Sequence, residues 1–568
     1  MTTFDMETVF RQHAATWPRL DAHGADASAP EVIVVGAGPV GLTIAAGLDG
    51  AGLRTLVLEA ESTVCNSSRA NAISERTFIM IDRVAPGLGD RLIAESVPME
   101  GGEVFYGRRL ISSQRVPSRK ETGGRYPPTS YLSQWNIEHA LVEELSMRPN
   151  AELRWQSRVT AISQDDSKVQ LQVSTPKGSY EVGAPWVVAA DGGRSTLRRA
   201  LGLRMEGLSY EVTFVVVDAL VDGPQPPHVR RAWFDPAYLP GGMVLTHMPP
   251  EGIWRMDFQF PIGTDLEEAV RPQNVMRLIE AHLGEIGHPP AKIEPINIGT
   301  YKTRAVFLQD FRSGRVLFAG DAAHLVPIFG GFGLNCGIDD ASNLEWKLAM
   351  VAAGSAPEGL LDTYTQERVP VVEQTLDFVI RATEFMTPTS RASEQLRTGA
   401  LTLAAQGDAL AAGLARHRPF RPFDCRSSAI SPDDGRLVEG PEPGSRIELG
   451  WIELNGEAMT LPQVLGGTLS VVVVGGLPAA SALVDVARAA VELAGVDARI
   501  LCAGGRGSPG PQSATPSLLD THGALREIFG AQGGLYVIRP DCVVAARFLD
   551  PTPHRLASAL AAAVGRAR

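Results

Sequence analysis

The run Val32–Val35 is apolar and β-branched at every position, which predicts a strand buried on both faces. Residues 42–51 have helical composition and 54–59 (RTLVLE) form a second apolar run. Strand, glycine turn, helix and strand together predict a βαβ unit. Runs at 186–190 and 315–319 have the same buried character. Between 205 and 300 the pattern changes to short alternating segments (229–234, 243–248, 253–260) separated by PAYLPGG and PPEG, which predict antiparallel strands joined by turns. Helical periodicity follows at 334–353 and 361–385; 386–445 is mixed, and a Pro- and Arg-rich stretch at 416–435 suggests a boundary. From about 446 the α/β pattern restarts, with a strand at 469–474, a helix at 478–494, a strand at 498–503 and a hairpin at 536–548. Residues 1–20 read as a short helix anchored by Phe10 and Trp17, and 21–30 as a small-residue linker. No tandem repeat is present.

A chain of 568 residues is too long for one core. The pattern predicts an α/β protein divided at 1–30, 31–204, 205–300, 301–390, 391–445 and 446–568, with segments of the antiparallel domain interrupting the first α/β part. With 52 Lys+Arg against 64 Asp+Glu the net charge is −12, which argues against nucleic acid as the main partner. The five cysteines, Cys65, Cys336, Cys425, Cys502 and Cys542, contain no C-x-x-C pair, so neither a dithiol redox motif nor a cysteine zinc site is expected, and no metal. The N-terminus lacks a signal pattern, and the apolar stretch 32–48, with four glycines and a proline, reads as strand plus helix rather than a membrane span. A cytoplasmic protein is expected, with a homodimer left open.

Four motifs carry chemistry. Gly36-Ala37-Gly38-Pro39-Val40-Gly41 follows the first buried strand. Gly36 permits the tight turn, Gly38 close approach of a pyrophosphate, and Gly41 close packing of helix on strand, while the helix start offers free N–H groups to the phosphates. Glu59, 18 residues beyond Gly41 at the end of the second strand, is placed to accept hydrogen bonds from the hydroxyls of an adenosine ribose. This motif does not separate FAD from NAD. Asp321, in Gly320-Asp321-Ala322-Ala323-His324, closes the strand 315–319. A carboxylate there can hold ribitol hydroxyls, or simply cap the next helix. His324 reads as a structural hydrogen-bonder. The stretch 327–335 (PIFGGFGLN) lets backbone lie flat against a ring system, and its helix start supplies positive potential where a reduced flavin is anionic; alone it would be a plain glycine-rich loop. Asp191-Gly192-Gly193-Arg194-Ser195 follows the strand at 186–190; Ser195 reads as a helix cap, since no acid and histidine accompany it in a hydrolase elbow.

In order, GAGPVG (36–41), DGGRSTLR (191–198) and GDAAHLVPIFGGFGLNCGIDDASNLEWKLA (320–349), with LDTYTQER (361–368), resemble the FAD-dependent aromatic hydroxylases, the single-component flavoprotein monooxygenases typified by p-hydroxybenzoate and phenol hydroxylases. The resemblance covers about residues 30–390; more weakly, 536–541 and 544–547 resemble the thioredoxin-like tail of the phenol hydroxylase branch. It implies a Rossmann-like FAD-binding domain, an antiparallel-sheet substrate domain and a C-terminal thioredoxin-like domain without a dithiol. It implies FAD as cofactor, NADPH or NADH as electron donor, O₂ as co-substrate, and hydroxylation of an electron-rich aromatic substrate through a flavin C4a-hydroperoxide. It further implies FAD contacts for Gly36, Gly38, Pro39, Gly41, Glu59, Ala60, Arg69, Gln134, Val159, Asp191, Asp321, Gly331, Gly333, Leu334 and Asn335. Phe332 departs from the family, where many members have Gln. No second G-x-G-x-x-G is present for the nicotinamide donor; Val471–Val474 with its two glycines lacks the pattern. The substrate is expected between the flavin, the loop of Pro327, Ile328 and Phe329, and the sheet of 205–300, where Trp233 and Trp254 are pocket candidates, His247 a candidate proton acceptor and Arg255 a candidate carboxylate holder. The alternatives are a flavin oxidase, ring reductase or halogenase on the same scaffold, or a flavin-bearing sensor; the W-x-W halogenase motif is absent.

Overall fold

The computed structural model describes residues 10–18, 20, 26, 28–261, 263–288, 292–416, 423–426, 428–431, 439–447, 450–454, 457–475, 479–505, 517–520, 524–530 and 532–566. The uninterrupted apolar runs do what burial on both faces requires: they form the middle of a six-stranded sheet. Its order is Arg312–Ser313, Val316–Phe318, Trp186–Ala189, Val32–Val35, Thr55–Leu58 and Ala151–Arg154. Every neighbouring pair is parallel except the first. The helices Pro39–Gly50 and Phe332–Ala352 pack together against this layer, and a three-stranded antiparallel meander, Arg158–Gln164, Val169–Thr175 and Gly178–Ala184, shares its core.

The alternating region forms an eight-stranded sheet in the order His324–Leu325, Ile293–Phe307, Glu206–Val221, Ile253–Gln259, Met243–His247, Val229–Phe234, Gly101–Tyr106 and Arg109–Arg115. It is antiparallel except where Val229–Phe234 runs parallel to Gly101–Tyr106. Two-residue alternation gives this sheet two different faces. Val215, Val217, Trp254, Met256 and Phe258 bury one face under the helix Pro272–Glu285, against Val275, Ile279 and Leu283. The opposite face carries Val216, Asp218, Arg255 and Asp257 and looks into a cavity.

Three expectations need correction or extension. Of the helix expected over 1–20, residues 11–18 have no regular structure and 1–9 lie outside the described residues; Phe10 and Trp17 still anchor the segment, edge-on to Trp135 and Tyr180. The sheet also takes in 101–115, far outside 205–300. The Pro- and Arg-rich stretch at 416–435 falls largely outside the described residues.

Residues from Trp451 onward build a seven-stranded sheet in the order Glu457–Thr460, Trp451–Leu454, Ser517–Asp520, Arg499–Gly505, Ser470–Val474, Gly534–Ile538 and Val544–Phe548. The tip of its last hairpin inserts a set of charges against the helices Phe332–Ala352 and Asp362–Met386. Arg539 donates from both Nη atoms to Glu367, at 2.6 and 2.8 Å, and from Nε to Asp541 at 3.0 Å. Lys347 donates to Glu367 at 2.8 Å and to Asn343 at 2.9 Å. Arg83 pairs with Glu345 at 2.7 Å. One turn nearer the central sheet, Asp340 accepts from Arg368 at 2.7 Å, from His324 at 2.6 Å and from the Gly320 N–H at 3.0 Å. A ladder of buried charges thus runs from the C-terminal hairpin to the residue preceding Asp321. Among the described residues no helix is long and apolar enough to cross a membrane, and no group of three or more His, Cys, Asp or Glu is arranged to hold a metal.

Candidate active site

The carboxyl ends of the parallel strands open into a cavity of about 910 Å³ whose other wall is the polar face of the eight-stranded sheet. At its start Gly36 has φ +106°, and a Cβ there would lie 2.4 Å from the Ala190 carbonyl oxygen, so only glycine can make the turn. A Cβ on Gly41 would lie 2.1 Å from the Gly36 carbonyl oxygen; Gly41 itself is packed under the loop and does not line the cavity. Pro39 begins the helix. Glu59 Oε2 accepts from the Ala37 N–H at 2.7 Å, tying the second strand to the loop, and burial raises its carboxyl pKa.

Gly36, Gly38, Pro39, Glu59, Ala60, Arg69, Gln134, Val159, Asp191, Asp321, Gly331, Gly333 and Leu334 all line this one cavity. Asp191 accepts from Thr196 N at 2.7 Å and Leu197 N at 3.3 Å through one oxygen; the other, Oδ1, is buried with no hydrogen-bond partner among the described residues. Gln134 donates to Glu138, a buried acid whose pKa burial raises to about 7 and whose other oxygen holds the Cys65 N–H at 2.6 Å. Asp321 stands in the short helix Gly320–Ala322, open to the cavity; the protein around it raises its pKa against the opposing pull of His324, Arg69 and Arg198. A Cβ on Gly331, at φ +68°, would come within 3.1 Å of Ala72.

Asn335 does not line the cavity. Its side chain accepts from the Ser74 N–H at 3.0 Å and from the Thr77 hydroxyl at 2.5 Å, and donates to the Ala72 carbonyl at 3.1 Å, so it pins the 331–334 turn from behind. Ser195 caps its helix through Arg198 N at 3.0 Å.

The substrate-side candidates divide by strand alternation. Pro327, Ile328, His247 and Arg255 line the cavity, joined by Arg230, Asp257, Val216 and Tyr301, which sequence reasoning missed. Trp233 and Trp254 do not: Trp233 stacks on Phe105 and meets His282 edge-on, and Trp254 lies in the core under the helix Pro272–Glu285. Phe329 is also turned away, edge-on to Phe214 at 5.7 Å. Arg255 is not available to a carboxylate ligand, because Nε and Nη2 clasp Asp218 at 2.8 and 3.1 Å while Nη1 donates to the Arg69 carbonyl. Asp218 is closed in turn by the Ser68 hydroxyl. Of the missed residues, Asp257 carried a readable signal: two positions from Arg255 on a predicted strand, it is a charge on the face opposite Trp254, Met256 and Phe258.

A glycine turn at a helix start, an acid at the end of the second strand and a second acid at a distant strand end define a dinucleotide-binding α/β site. The family model described as "FAD binding domain" matches residues 29–379, and the chain belongs to that family. The 3-(3-hydroxy-phenyl)propionate/3-hydroxycinnamic acid hydroxylase of Mycolicibacterium smegmatis (strain ATCC 700084 / mc(2)155) is 32% identical over 369 residues, 65% of this chain and 63% of that protein. The protein of the same name from Escherichia coli (strain SMS-3-5 / SECEC) is 33% identical over 372 residues, 65% of this chain and 64% of its own length. The match therefore spans somewhat less than two thirds of these relatives. Among solved structures, the flavin-dependent monooxygenase PieE superposes with a TM-score of 0.77 at 23% identity, covering 94% of this chain and 99% of that one. CabE, an aromatic hydroxylase from angucycline biosynthesis, gives 0.68 at 25% identity over 95% and 100%. The mixed α/β architecture is thus shared along almost the whole chain.

Gly36→Ala is expected to cost at least about 1–3 kcal/mol from the positive φ alone. Its melting temperature should drop and its bound flavin per chain should fall with it.

Proposed function

We propose that this protein is an FAD- and NAD(P)H-dependent monooxygenase that hydroxylates an electron-rich, phenolic aromatic substrate. The observation that carries this reading is the continuity of one cavity from the Gly36 loop, past Asp321 and the 331–334 turn, to a polar sheet face beyond them. Such a cavity suits a long cofactor with a second molecule against its ring end. The residues fit FAD: the Gly36–Gly38 loop and the following helix start would receive the pyrophosphate with Arg69 beside it, Glu59 the adenosine ribose, and Asp321 the ribitol. Gly331, Gly333 and Leu334 would lie along the isoalloxazine. The partnerless Asp191 Oδ1 also suits a ligand donor in this cavity. When bound, FAD would accept hydride from NADPH or NADH and, once reduced, activate O₂ for transfer to the substrate ring. The chain's own work is to position that ring against the wall of Pro327, Ile328 and Val216 and to exclude water from it.

The relatives named for hydroxylation of 3-(3-hydroxyphenyl)propionate support the reaction class, as does the similarity to CabE. In the domain division we favour, 31–204 and 301–390 hold FAD, the sheet of 205–300 with 101–115 holds substrate, and 446–568 is a separate thioredoxin-like unit.

The purified protein should be yellow, with one FAD per chain. A panel of 3-(3-hydroxyphenyl)propionate, simple phenols and polycyclic phenols should include a compound that accelerates NADPH oxidation at least about ten-fold and gains one oxygen atom, consistent with catalytic positioning effects of that size or larger. Substrate oxidation with peroxide release and no need for NADPH would mark an oxidase instead; no acceleration by any phenol would end the hydroxylase reading.

A further inference from the structure

The substrate end of the cavity holds charges that the FAD-binding groups do not use. Register places them in a row: Asp218 pairs with Arg255 and Arg255 with His247 across three strands. Arg231 pairs with Thr246, so the preceding Arg230 and the following His247 share the cavity face. Asp257 lies one step along, opposite Val216 and Leu245. The Arg255–Asp218 half of the row is closed by its own hydrogen bonds and by Ser68 and Arg69.

Asp257 is different. It is 6% exposed and lines the cavity, Oδ2 stands 3.6 Å from His247 Nε2, and Oδ1 is buried with no hydrogen-bond partner among the described residues. A buried carboxylate oxygen without a donor is costly, and a ligand hydroxyl would relieve that cost. Burial raises the Asp257 carboxyl to about 7, with Arg255 pulling it down, Asp218 pushing it up and Arg230 pulling it down. The other ionisable groups facing this corner are His247, Tyr131 (edge-on to His247 from the strand Thr129–Tyr131) and Tyr301.

We propose that Asp257 accepts the proton of the substrate's ring hydroxyl and that Arg230, in the same wall, holds the oxyanion left behind. The hydroxyl O–H bond breaks, its electron pair stays on the ring oxygen, and a new O–H bond forms on the Asp257 carboxylate; nothing is oxidised or reduced. The resulting phenolate is the more electron-rich ring that oxygen transfer requires. This assignment rests on the hydroxylase reading.

The test uses the phenol from the panel that best accelerates NADPH oxidation. In the wild type, kcat/KM should rise as pH passes upward through about 7. Asp257→Asn should lower kcat at neutral pH by about 100-fold or more, as loss of a general base does, and recover as pH approaches the phenol's own pKa. Arg230→Met should lower kcat more than it raises KM, because the oxyanion it holds forms only after the phenol has bound. Asp257→Asn with wild-type kcat, a loss equal at every pH, or a wild-type profile flat across neutrality overturns the assignment. Should Asp257→Asn not fold, the wild-type profile and Arg230→Met decide. A panel in which no phenol is turned over overturns both readings together, whereas turnover that Asp257→Asn leaves intact overturns this one alone.

Discussion

Asp321→Ala is expected to yield a folded protein that has lost most of its FAD. The side chain accepts no hydrogen bond from another described residue and is open to the cavity, so its removal takes nothing from the core. It stands on the turn after Val316–Phe318, held by Gly320 at φ +59° and by the Gly320 N–H to Asp340 bond, a backbone framework that does not depend on its side chain. What it can do is accept from ligand hydroxyls. Hydrogen bonds to a charged group contribute about 1.5–3 kcal/mol, which corresponds to roughly ten- to hundred-fold weaker binding. Flavin absorbance per chain and a fluorescence titration of the apoprotein measure the loss, and a melting temperature in the FAD-free state within a few degrees of wild type separates it from misfolding. Asp321→Asn, which keeps an acceptor but no charge, should fall between the two. Stoichiometric FAD with unchanged Kd in Asp321→Ala would remove the residue from the cofactor's contacts.

That site was legible because its logic is local. The turn at 36–41, the acid at 59 and the acid at 321 each need particular residue types next to a buried strand, and the run Val32–Val35 announces such a strand without reference to anything distant. The sheet wall of the cavity was not legible for the opposite reason. Trp254 and Arg255 are adjacent, so one must face the cavity and the other must not. The choice was made by the helix Pro272–Glu285, which covers one face with Val275, Ile279 and Leu283 and takes the aromatic side. Arg255 reads as a ligand for anions until Asp218, 37 residues away, is seen to occupy it. The strands at 101–115 were missed because their sequence, GGEVFY and RLISSQR, alternates poorly, and their place at the sheet edge follows from a parallel pairing with Val229–Phe234 that only the tertiary fold creates. Asn335 fell within the stretch 327–335, read as a loop leading into a helix; it lies in the first turn of the helix Phe332–Ala352, and its amide faces Ser74, Thr77 and Ala72 rather than the cavity.

The C-terminal unit was the least informative in sequence, and its contact with the rest is where the largest stability effect is expected. Arg539→Met should destabilise the protein by about 3–5 kcal/mol, the cost of leaving buried charge without its partner. Arg539 and Glu367 are both fully buried. The methionine would still fill the space beside Trp346 but would strip two donors from Glu367 and both the Nε and Nη2 donors from Asp541. Glu367 would keep Lys347, Asn343 and Ser428; among the described residues Asp541 would keep only Asn343. Chemical denaturation followed by circular dichroism should show a lower midpoint. The double variant Glu367→Gln with Arg539→Met, which removes both charges, should recover part of the loss, as coupled partners do. The pH dependence has a definite sign. Burial alone would raise the Glu367 carboxyl, but Arg539 and Lys347 outweigh it and hold it well below the usual carboxylate range. A group depressed in the folded state contributes stability that is present above its unfolded pKa, about 4.3, and is lost as pH falls below it. Wild-type stability should therefore fall steeply under acid, with Asp339, lowered to about 2 against its burial by Arg446 and Arg76, acting in the same direction. Arg539→Met should be weaker at neutral pH and shallower on the acid limb, so the two curves converge as pH drops. Parallel curves, with the same deficit at pH 3 as at pH 7, would show that the loss comes from packing and not from the buried pair.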